Sequence, residues 1–371
     1  MSARELFYRA ILVVGSTALV LAACEAGVRL YLRLSDPAAE DLEARLEDSR
    51  RASPERVFSR GNLMGLVRAS ADPEIVYELK PGLRGRFAGQ PFEISSQGLR
   101  DREYPRQKPP GTLRIAGLGD SVMFGWGVGQ PEPYLEVLER RLNGAPGTPR
   151  VEVLNFAVPG YNTAMEVAVF ERKALAFDPD LVILHFVPND LALPPFLQPP
   201  RRLGSLGRSF LLELVRNRLQ GLPGLREPRL FPRDAESPSD PRQVPERYRH
   251  MVGEDGFRRA MARLATLTRE RSLPVIVITL QQAEEPWTLV RQVVEEHGFH
   301  LLVTGPTFLS YLAEHGIEPS RQGWGETLWV SPRDSHPNAL GHRLYAEMLF
   351  ETLQDLGITE GSVSAPSPTL G

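Results

Sequence analysis

Leu113 to Leu118 reads LRIAGL, and Gly119, Asp120 and Ser121 follow it directly. A short apolar run that ends in glycine is typical of a strand buried in a parallel sheet. Similar strand-like segments lie at 151–156, 181–187, 274–280 and 300–303, and segments of helical spacing lie at 134–142, 163–177, 256–271, 287–297 and 338–356. Repeated alternation of strand and helix predicts a parallel sheet that is covered by helices on both faces.

The composition is that of a globular protein with a substantial core. Of the 371 residues, 42% are hydrophobic and 24% are charged, and the formal net charge is only -3. So small a charge does not favour a nucleic-acid partner. The single cysteine, Cys24, excludes an intramolecular disulfide, and no Cys or His cluster has the spacing of metal ligands. We therefore expect no metal and no organic cofactor.

The N-terminus carries a membrane signal. Arg4 and Arg9 precede an uncharged stretch from Ala10 to Cys24, AILVVGSTALVLAAC. One interpretation is an uncleaved anchor, whose amphipathic continuation EAGVRLYLRL leaves the bilayer. A second is a lipoprotein signal, because LAAC resembles a lipobox with Cys24 as the lipidated residue. The stretch is also compatible with a plain cleaved signal or with a buried helix of a soluble protein.

Four regions follow from the changes in pattern along the chain. They are an anchor or signal at 1–34, a spacer with a small β-rich lead-in at 35–110, the α/β domain at 111–357 and a disordered tail at 358–371. An insert at about 190–253 interrupts the α/β domain and is rich in proline. Because it is longer than an ordinary connection, we interpret it as a cap, a flank or a contact with a partner or membrane.

Four polar clusters stand where such a fold places its ligands. They are Gly119-Asp120-Ser121, Asn155 to Gly160, Asn189-Asp190 and Asp334 to Asn338. The first three follow strands and the fourth precedes the last helix, so we expect them to meet beyond the carboxyl ends of the strands. Together they supply a hydroxyl, an imidazole, a carboxylate and amide donors, which is the set that acyl transfer needs.

Each cluster by itself also has a purely structural explanation. These explanations are a helix N-cap at Ser121, a simple turn at Gly160, an Asx turn at Asn189 and a surface turn at His336. Two further histidines, His185 and His342, lie within a strand and a helix, and we interpret both as structural.

Taken together, the four clusters resemble the SGNH/GDSL hydrolase superfamily, whose blocks carry Ser, Gly, Asn and His in this order. The matching residues are Ser121 in GLGDSVMFGWGV, Gly160 in NFAVPGYNT, Asn189 in VPND and His336 in DSHPNALGH. The upstream stretch SSQGLRDREYPRQKPPGTLRI is similar to the lead-in of membrane-anchored bacterial members. The resemblance spans about 113–356 and implies a flavodoxin-like three-layer α/β/α fold with a parallel sheet of about five strands.

The resemblance also implies the roles of the site residues. Ser121 would be the nucleophile, His336 the base and Asp334 the acid of the triad. The oxyanion would be held by the backbone N–H groups of Ser121 and Gly160 and by the side-chain amide of Asn189.

The sequence departs from the family pattern at two positions. Val187 stands where the third block commonly has glycine. Arg333 stands where the acid commonly precedes the histidine by three residues, and Asp334 precedes His336 by only two.

The predicted activity is cleavage of an O-acyl or O-acetyl ester, from a small molecule or a carbohydrate, at the cell envelope. The N-terminal segment would hold the catalytic domain at the membrane, outside the cytoplasm. Two alternatives are an O-acyltransferase that acts on an envelope polysaccharide and a catalytically inactive, carbohydrate-binding member. A flavodoxin-type cofactor protein fits less well, because the polar clusters match an acyl-transfer site better than a phosphate cradle.

Overall fold

A computed structural model describes most of the chain. The described residues are 3–35, 66–87, 90–194, 197, 209, 211–212, 239–281, 284–332 and 334–358. The spacer from 36 to 65, much of the insert and the predicted tail beyond 358 lie outside the described residues. The chain divides into two units, one comprising 1–45 with 199–229 and the other comprising 46–198 with 230–371.

A five-stranded parallel sheet organises the larger unit. Its strands are β5 (Thr112–Leu118), β6 (Arg150–Asn155), β7 (Leu181–His185), β8 (Val275–Thr279) and β9 (His300–Val303). Their spatial order is β6-β5-β7-β8-β9, and all neighbours are parallel. This is the 2-1-3-4-5 order of flavodoxin-like folds. The predicted fold class is therefore confirmed, and each strand-like segment forms a strand.

The strands form where the sequence is mainly apolar, and β5 and β6 each also carry a buried charged residue. All residues of β7 and β8 are buried, as expected for strands that helices cover on both faces. In β5, however, the run that we treated as apolar includes Arg114, whose side chain is fully buried. Its Nε donates to Oε2 of Glu152 on β6 at 2.8 Å, so a buried ion pair replaces an apolar contact.

Helices pack around the sheet. They are α2 (Ser121–Phe124), α3 (Tyr134–Gly144), α4 (Thr163–Arg172), α5 (Gly253–Arg269), α6 (Trp287–His297), α7 (Gly305–Glu314), α8 (Arg321–Thr327) and α9 (Ala339–Asp355). Helix α3 packs against α9, α4 against α5, and α5 against α6. The sequence pattern predicted neither α7 nor α8. Two glycines weaken the propensity of α8, and packing of its buried Trp324 against Phe308 of α7 compensates.

The lead-in forms short antiparallel pairs. Strand β1 (Val67–Ala69) pairs with β2 (Tyr77–Leu79), and β3 (Arg84–Phe87) pairs with β4 (Gln90–Glu93). Small strands were expected in this part of the chain. The lead-in belongs to the same compact unit as the sheet and contributes buried side chains to it, including Tyr77. The division of the chain at residue 110 stays a prediction.

The described part of the smaller unit is mainly one long helix, α1 (Ala3–Ser35). Its stretch Arg4–Tyr31 is long and apolar enough to cross a membrane, with a mean hydropathy of 2.0, and its large apolar side chains are exposed. Within this unit, the Glu25 carboxylate accepts hydrogen bonds from the Ser209 hydroxyl (2.9 Å) and the Leu211 backbone N–H (2.8 Å). The helix has the character of a membrane anchor or a signal sequence.

Candidate active site

Ser121 begins α2 immediately after β5. The N-cap of this helix is Asp120, whose Oδ1 accepts the Val122 N–H at 2.9 Å. Gly125 ends the helix in the left-handed conformation, with φ of 89°, which glycine adopts without strain. The N-cap role considered for Ser121 is therefore wrong. Its hydroxyl does not cap the helix and lies within hydrogen-bonding distance of other side chains.

His336 lies beside that hydroxyl. Its Nε2 is 2.8 Å from Ser121 Oγ, and its Nδ1 is 2.6 Å from Asp334 Oδ1. Both the imidazole and the carboxylate are little more than one quarter exposed. A hydroxyl, an imidazole and a carboxylate are thus connected in the order that a serine nucleophile requires.

The short spacing between Asp334 and His336 has a simple explanation. Both residues lie on β11 (Asp334–Pro337), which pairs antiparallel with β10 (Trp329–Ser331). Side chains two residues apart on a strand point to the same face. A separation of two therefore brings the carboxylate beside the imidazole. Arg333, at the usual acid position, lies outside the described residues.

The environment favours an ionised Asp334. Burial raises the pKa of this carboxyl group, but several other interactions lower it. They are hydrogen bonds from the His336 side chain and backbone, the charge of His336 and a hydrogen bond from the Trp126 side chain. The lowering effects win, so the pKa of Asp334 lies below its usual value. The carboxylate is thus suited to accept a hydrogen bond from the Nδ1–H of His336 at neutral pH.

Asn338 fixes the turn between β11 and α9. Its side-chain oxygen accepts the N–H groups of Leu340 (2.9 Å) and Gly341 (3.1 Å), and it therefore caps α9. Its amide donates to the carbonyls of Thr327 (2.9 Å) and Trp329 (3.1 Å). These bonds tie β10, β11 and α9 together and hold the strand that carries His336.

Asn189 is linked to the serine through Asp120. Its Nδ2 donates to Asp120 Oδ2 at 3.2 Å, and the same oxygen lies 3.2 Å from Ser121 Oγ. Asn189 belongs to a short 3₁₀ helix, Pro188–Leu191. Val187, which replaces the usual glycine, has φ of -126° and ψ of 158°. Any residue adopts this extended conformation, so the departure from the family pattern leaves the backbone of the turn unstrained.

Gly160 lies in the turn after β6. Its φ of 80° is in the region that glycine tolerates best. The preceding carbonyl, that of Pro159, accepts a hydrogen bond from the Tyr77 hydroxyl at 3.1 Å. Because C=O and N–H point in opposite directions across a trans peptide, this bond directs the Gly160 N–H away from Tyr77. A residue of the lead-in thus sets the orientation of this peptide.

The two remaining histidines belong to the core. His185 and His342 are buried, and burial lowers the pKa of each to about 3. Tyr134 contacts both: its hydroxyl lies 2.9 Å from His185 Nδ1, and its N–H donates to His342 Nδ1 at 3.2 Å. Their neutral, partnered state agrees with the structural role predicted from the sequence. Among the described residues, no group of three or more His, Cys, Asp or Glu side chains could hold a metal ion.

Trp126 is a residue of the site that the sequence pattern did not indicate. Its ring stacks on the His336 ring, with centroids 5.0 Å apart and an interplanar angle of 19°. Its side chain also donates to Asp334. Trp126 falls within the GLGDSVMFGWGV block, but nothing in the spacing of that block indicates that this indole meets a residue over two hundred positions later.

The chain matches a family of known hydrolases in sequence, and solved structures align with part of it. Residues 118–344 match the GDSL-like lipase/acylhydrolase family. A lipase/acylhydrolase from Enterococcus faecalis is 17% identical, with a TM-score of 0.39, and the match covers 68% of this chain and 100% of that one. An acetylxylan esterase from Geobacillus stearothermophilus is 17% identical, with a TM-score of 0.38, covering 66% of this chain and 94% of that one. No curated protein matches the sequence significantly.

Proposed function

The chain belongs to the GDSL-like lipase/acylhydrolase family, and from this premise we propose that it is a serine hydrolase that cleaves an O-acyl ester. Ser121 is the nucleophile, His336 the general base and Asp334 the carboxylate that orients His336. The observation that carries the proposal is the continuous connection from Ser121 Oγ through His336 to Asp334, with contacts of 2.8 and 2.6 Å. Contacts of this length place a base where it can take the proton of a weak nucleophile.

The reaction follows from this arrangement. His336 Nε2 takes the hydroxyl proton as Ser121 Oγ attacks the ester carbonyl carbon. The same proton then passes from His336 to the leaving alcohol oxygen, and an acyl-enzyme remains. Water attacks the acyl carbon, His336 takes the proton of that water, and Ser121 recovers the proton when the free acid leaves. Asp334 stays ionised throughout and stabilises the imidazolium.

The oxyanion is proposed to be held by three donors. They are the backbone N–H groups of Ser121 and Gly160 and the side-chain amide of Asn189. The Ser121 N–H lies at the start of α2, where backbone donors have no partner within the helix. The bonds of Asn189 to Asp120 and of Tyr77 to the Pro159 carbonyl support preorganised donors.

Asn189→Ala is expected to lower kcat by about 10²–10³-fold, because one oxyanion donor is lost. Steady-state kinetics with p-nitrophenyl acetate measure the loss. Asn143→Ala is the control, since the Asn143 amide bonds to the backbone of Glu139 and Val151. That change should alter stability and leave kcat near the wild-type value. A wild-type rate in Asn189→Ala would remove Asn189 from the proposed site.

We propose an O-acetyl or other O-acyl group on a small molecule or carbohydrate as the substrate, and water as the acceptor. An O-acyltransferase would use the same site and pass the acyl group to a sugar hydroxyl. The exposed apolar surface of α1 supports a location at the cell envelope, where Arg4–Tyr31 anchors the catalytic unit outside the cytoplasm. Lipidation of Cys24 after removal of the preceding residues is the alternative form of attachment.

Labelling with a fluorophosphonate probe tests the proposal on the full chain in isolated membranes. Wild type is expected in the membrane fraction and labelled there, whereas Ser121→Ala should be unlabelled. Ser310→Ala, which changes an exposed serine of α7, should be labelled like wild type. Folded wild type that resists the probe would overturn the hydrolase proposal in favour of a catalytically inactive binding protein. Recovery of the wild-type protein in the soluble fraction would contradict the proposal that Arg4–Tyr31 anchors the chain in a membrane.

A further inference from the structure

Trp126 contacts the side chains of both His336 and Asp334. Its ring lies nearly parallel to that of His336, with a centroid separation of 5.0 Å. Its side chain donates a hydrogen bond to the Asp334 carboxylate. The indole N–H is the sole donor of a tryptophan side chain. One rigid ring system therefore packs against the imidazole with its face and holds the carboxylate with its edge.

The loop that carries Trp126 is held in place by Arg100. Arg100 of the lead-in is buried, and its guanidinium donates to the carbonyls of Phe124 (2.8 Å), Gly125 and Val128 (2.6 Å). Trp126 thus lies inside a segment whose backbone is bound on both sides by one planar cation. Five fixed donors suit a guanidinium to this task, because several carbonyls can be bound at once.

A second fixed point lies beside β10. A Cβ atom placed on Gly127 would stand 2.5 Å from Cγ2 of Val330, and Gly127 has φ of 81°. The loop therefore approaches β10 as closely as a glycine permits. Strand β10 pairs with β11, which carries Asp334 and His336. Trp126 is accordingly held against Asp334 and His336 from two sides. Arg100 of the lead-in binds its loop on one side, and the β10–β11 hairpin contacts the loop on the other.

We infer that Trp126 is a positioning residue that keeps the Asp334 carboxylate and the His336 imidazole in the orientation that Ser121 requires. This inference rests on the proposed hydrolase function. The stacked indole restricts rotation of the imidazole about its side-chain bonds. The N–H donor fixes the carboxylate, which is 29% exposed and would otherwise exchange partners with water.

The physical consequences differ between two substitutions. Trp126→Phe keeps an aromatic face against His336 and removes the donor to Asp334. Trp126→Leu removes both. Since the hydrogen bond from Trp126 lowers the pKa of Asp334, its loss makes that carboxyl group easier to protonate. The carboxylate then becomes neutral at a higher pH than in wild type, and a neutral Asp334 no longer supports the imidazolium.

Trp126→Phe is expected to lower kcat about tenfold, with KM nearly unchanged, because a hydrogen bond to a charged group is lost. The comparison is made as kcat per active site, with the sites counted by stoichiometric fluorophosphonate labelling. Trp126→Leu should lose more activity, because it removes the aromatic face as well as the donor. Trp287→Phe is the matched control, because Trp287 begins α6 and is buried against Phe186, which follows β7. It should leave kcat per labelled site as in wild type.

Kinetics of the full chain at pH 7, on samples with matched thermal transitions, test the inference. A merely structural role would lower the number of labelled sites and leave kcat per labelled site as in wild type. A wild-type kcat per labelled site in Trp126→Phe would therefore overturn the inference. This outcome is distinct from failure of the proposed function, in which the wild type itself would lack esterase activity and resist the fluorophosphonate probe.

Discussion

Asp334→Asn is expected to lower kcat by about four orders of magnitude, the loss that follows when a triad carboxylate becomes an amide without a change in geometry. His336 Nδ1 now faces Asp334 Oδ1 at 2.6 Å, which keeps the proton on Nδ1 and leaves Nε2 free to accept from Ser121. An amide can donate to Nδ1 instead, which favours the tautomer whose Nε2 carries a proton. That tautomer cannot act as a base toward Ser121.

The measurement is the esterase rate at saturating p-nitrophenyl acetate, together with far-UV circular dichroism. Asp178→Asn provides a matched control. The Asp178 side chain is 76% exposed and pairs with Lys108, and its φ of 53° is a conformation that asparagine tolerates. That variant should keep the wild-type rate. A loss of less than tenfold in Asp334→Asn would show that another group orients His336.

Arg114→Met is expected to lower the free energy of unfolding by about 3–5 kcal/mol, because it leaves a buried carboxylate without its partner. Arg114 and Glu152 are both fully buried, on the paired strands β5 and β6. The guanidinium also donates to the carbonyls of Pro105 (2.5 Å), Arg106 (2.9 Å) and Phe177 (2.7 Å). Three carbonyls and one charge would lose their donors at once.

Arg150→Met is the matched control for this prediction. Arg150 contacts the same Glu152, at 3.4 Å, but its side chain is 62% exposed. Glu152 is buried but keeps its closer partner Arg114 in this variant, and the charge of Arg150 is exposed to solvent. An ion pair with so exposed a partner contributes only about 0–1 kcal/mol, so this change should have little effect. Urea unfolding of the two variants measures the difference. Similar destabilisation in both would mean that burial of the Arg114–Glu152 pair carries no special weight.

Local pattern determined the sheet and the helices that cover it. The five strands appear as short, mainly apolar segments, because helices cover a parallel sheet on both faces. The helices between them appear as segments with a 3.6-residue period, because each buries only one side. The unassigned region between β9 and α9 shows where this signal fails. Helix α8 contains two glycines, and Trp324 stabilises it through contacts that its own sequence does not reveal.

The short spacing of Asp334 and His336 shows a similar limit. In the sequence it is a departure from the family pattern, because the spacing alone does not tell whether the residues lie on a turn or a strand. In the structure they lie on β11, where a separation of two residues places both side chains on one face. The pairing of β10 with β11 decides this, since neither the three-residue β10 nor the four-residue β11 is stable by itself.

The sequence by itself predicted which chemical groups to expect at the carboxyl edge of the sheet. Ser121, Gly160 and Asn189 each follow a parallel strand, and parallel strands all end at that edge, whatever the length of chain between them. His336 was predicted from the resemblance of the four blocks to the family. Only the tertiary structure decided what surrounds these groups. Trp126 against His336, Arg100 beneath the Trp126 loop and Tyr77 behind Gly160 are contacts between segments that are distant along the chain. No local periodicity encodes such contacts, because they arise only when the lead-in, the loops and the hairpin pack against the sheet.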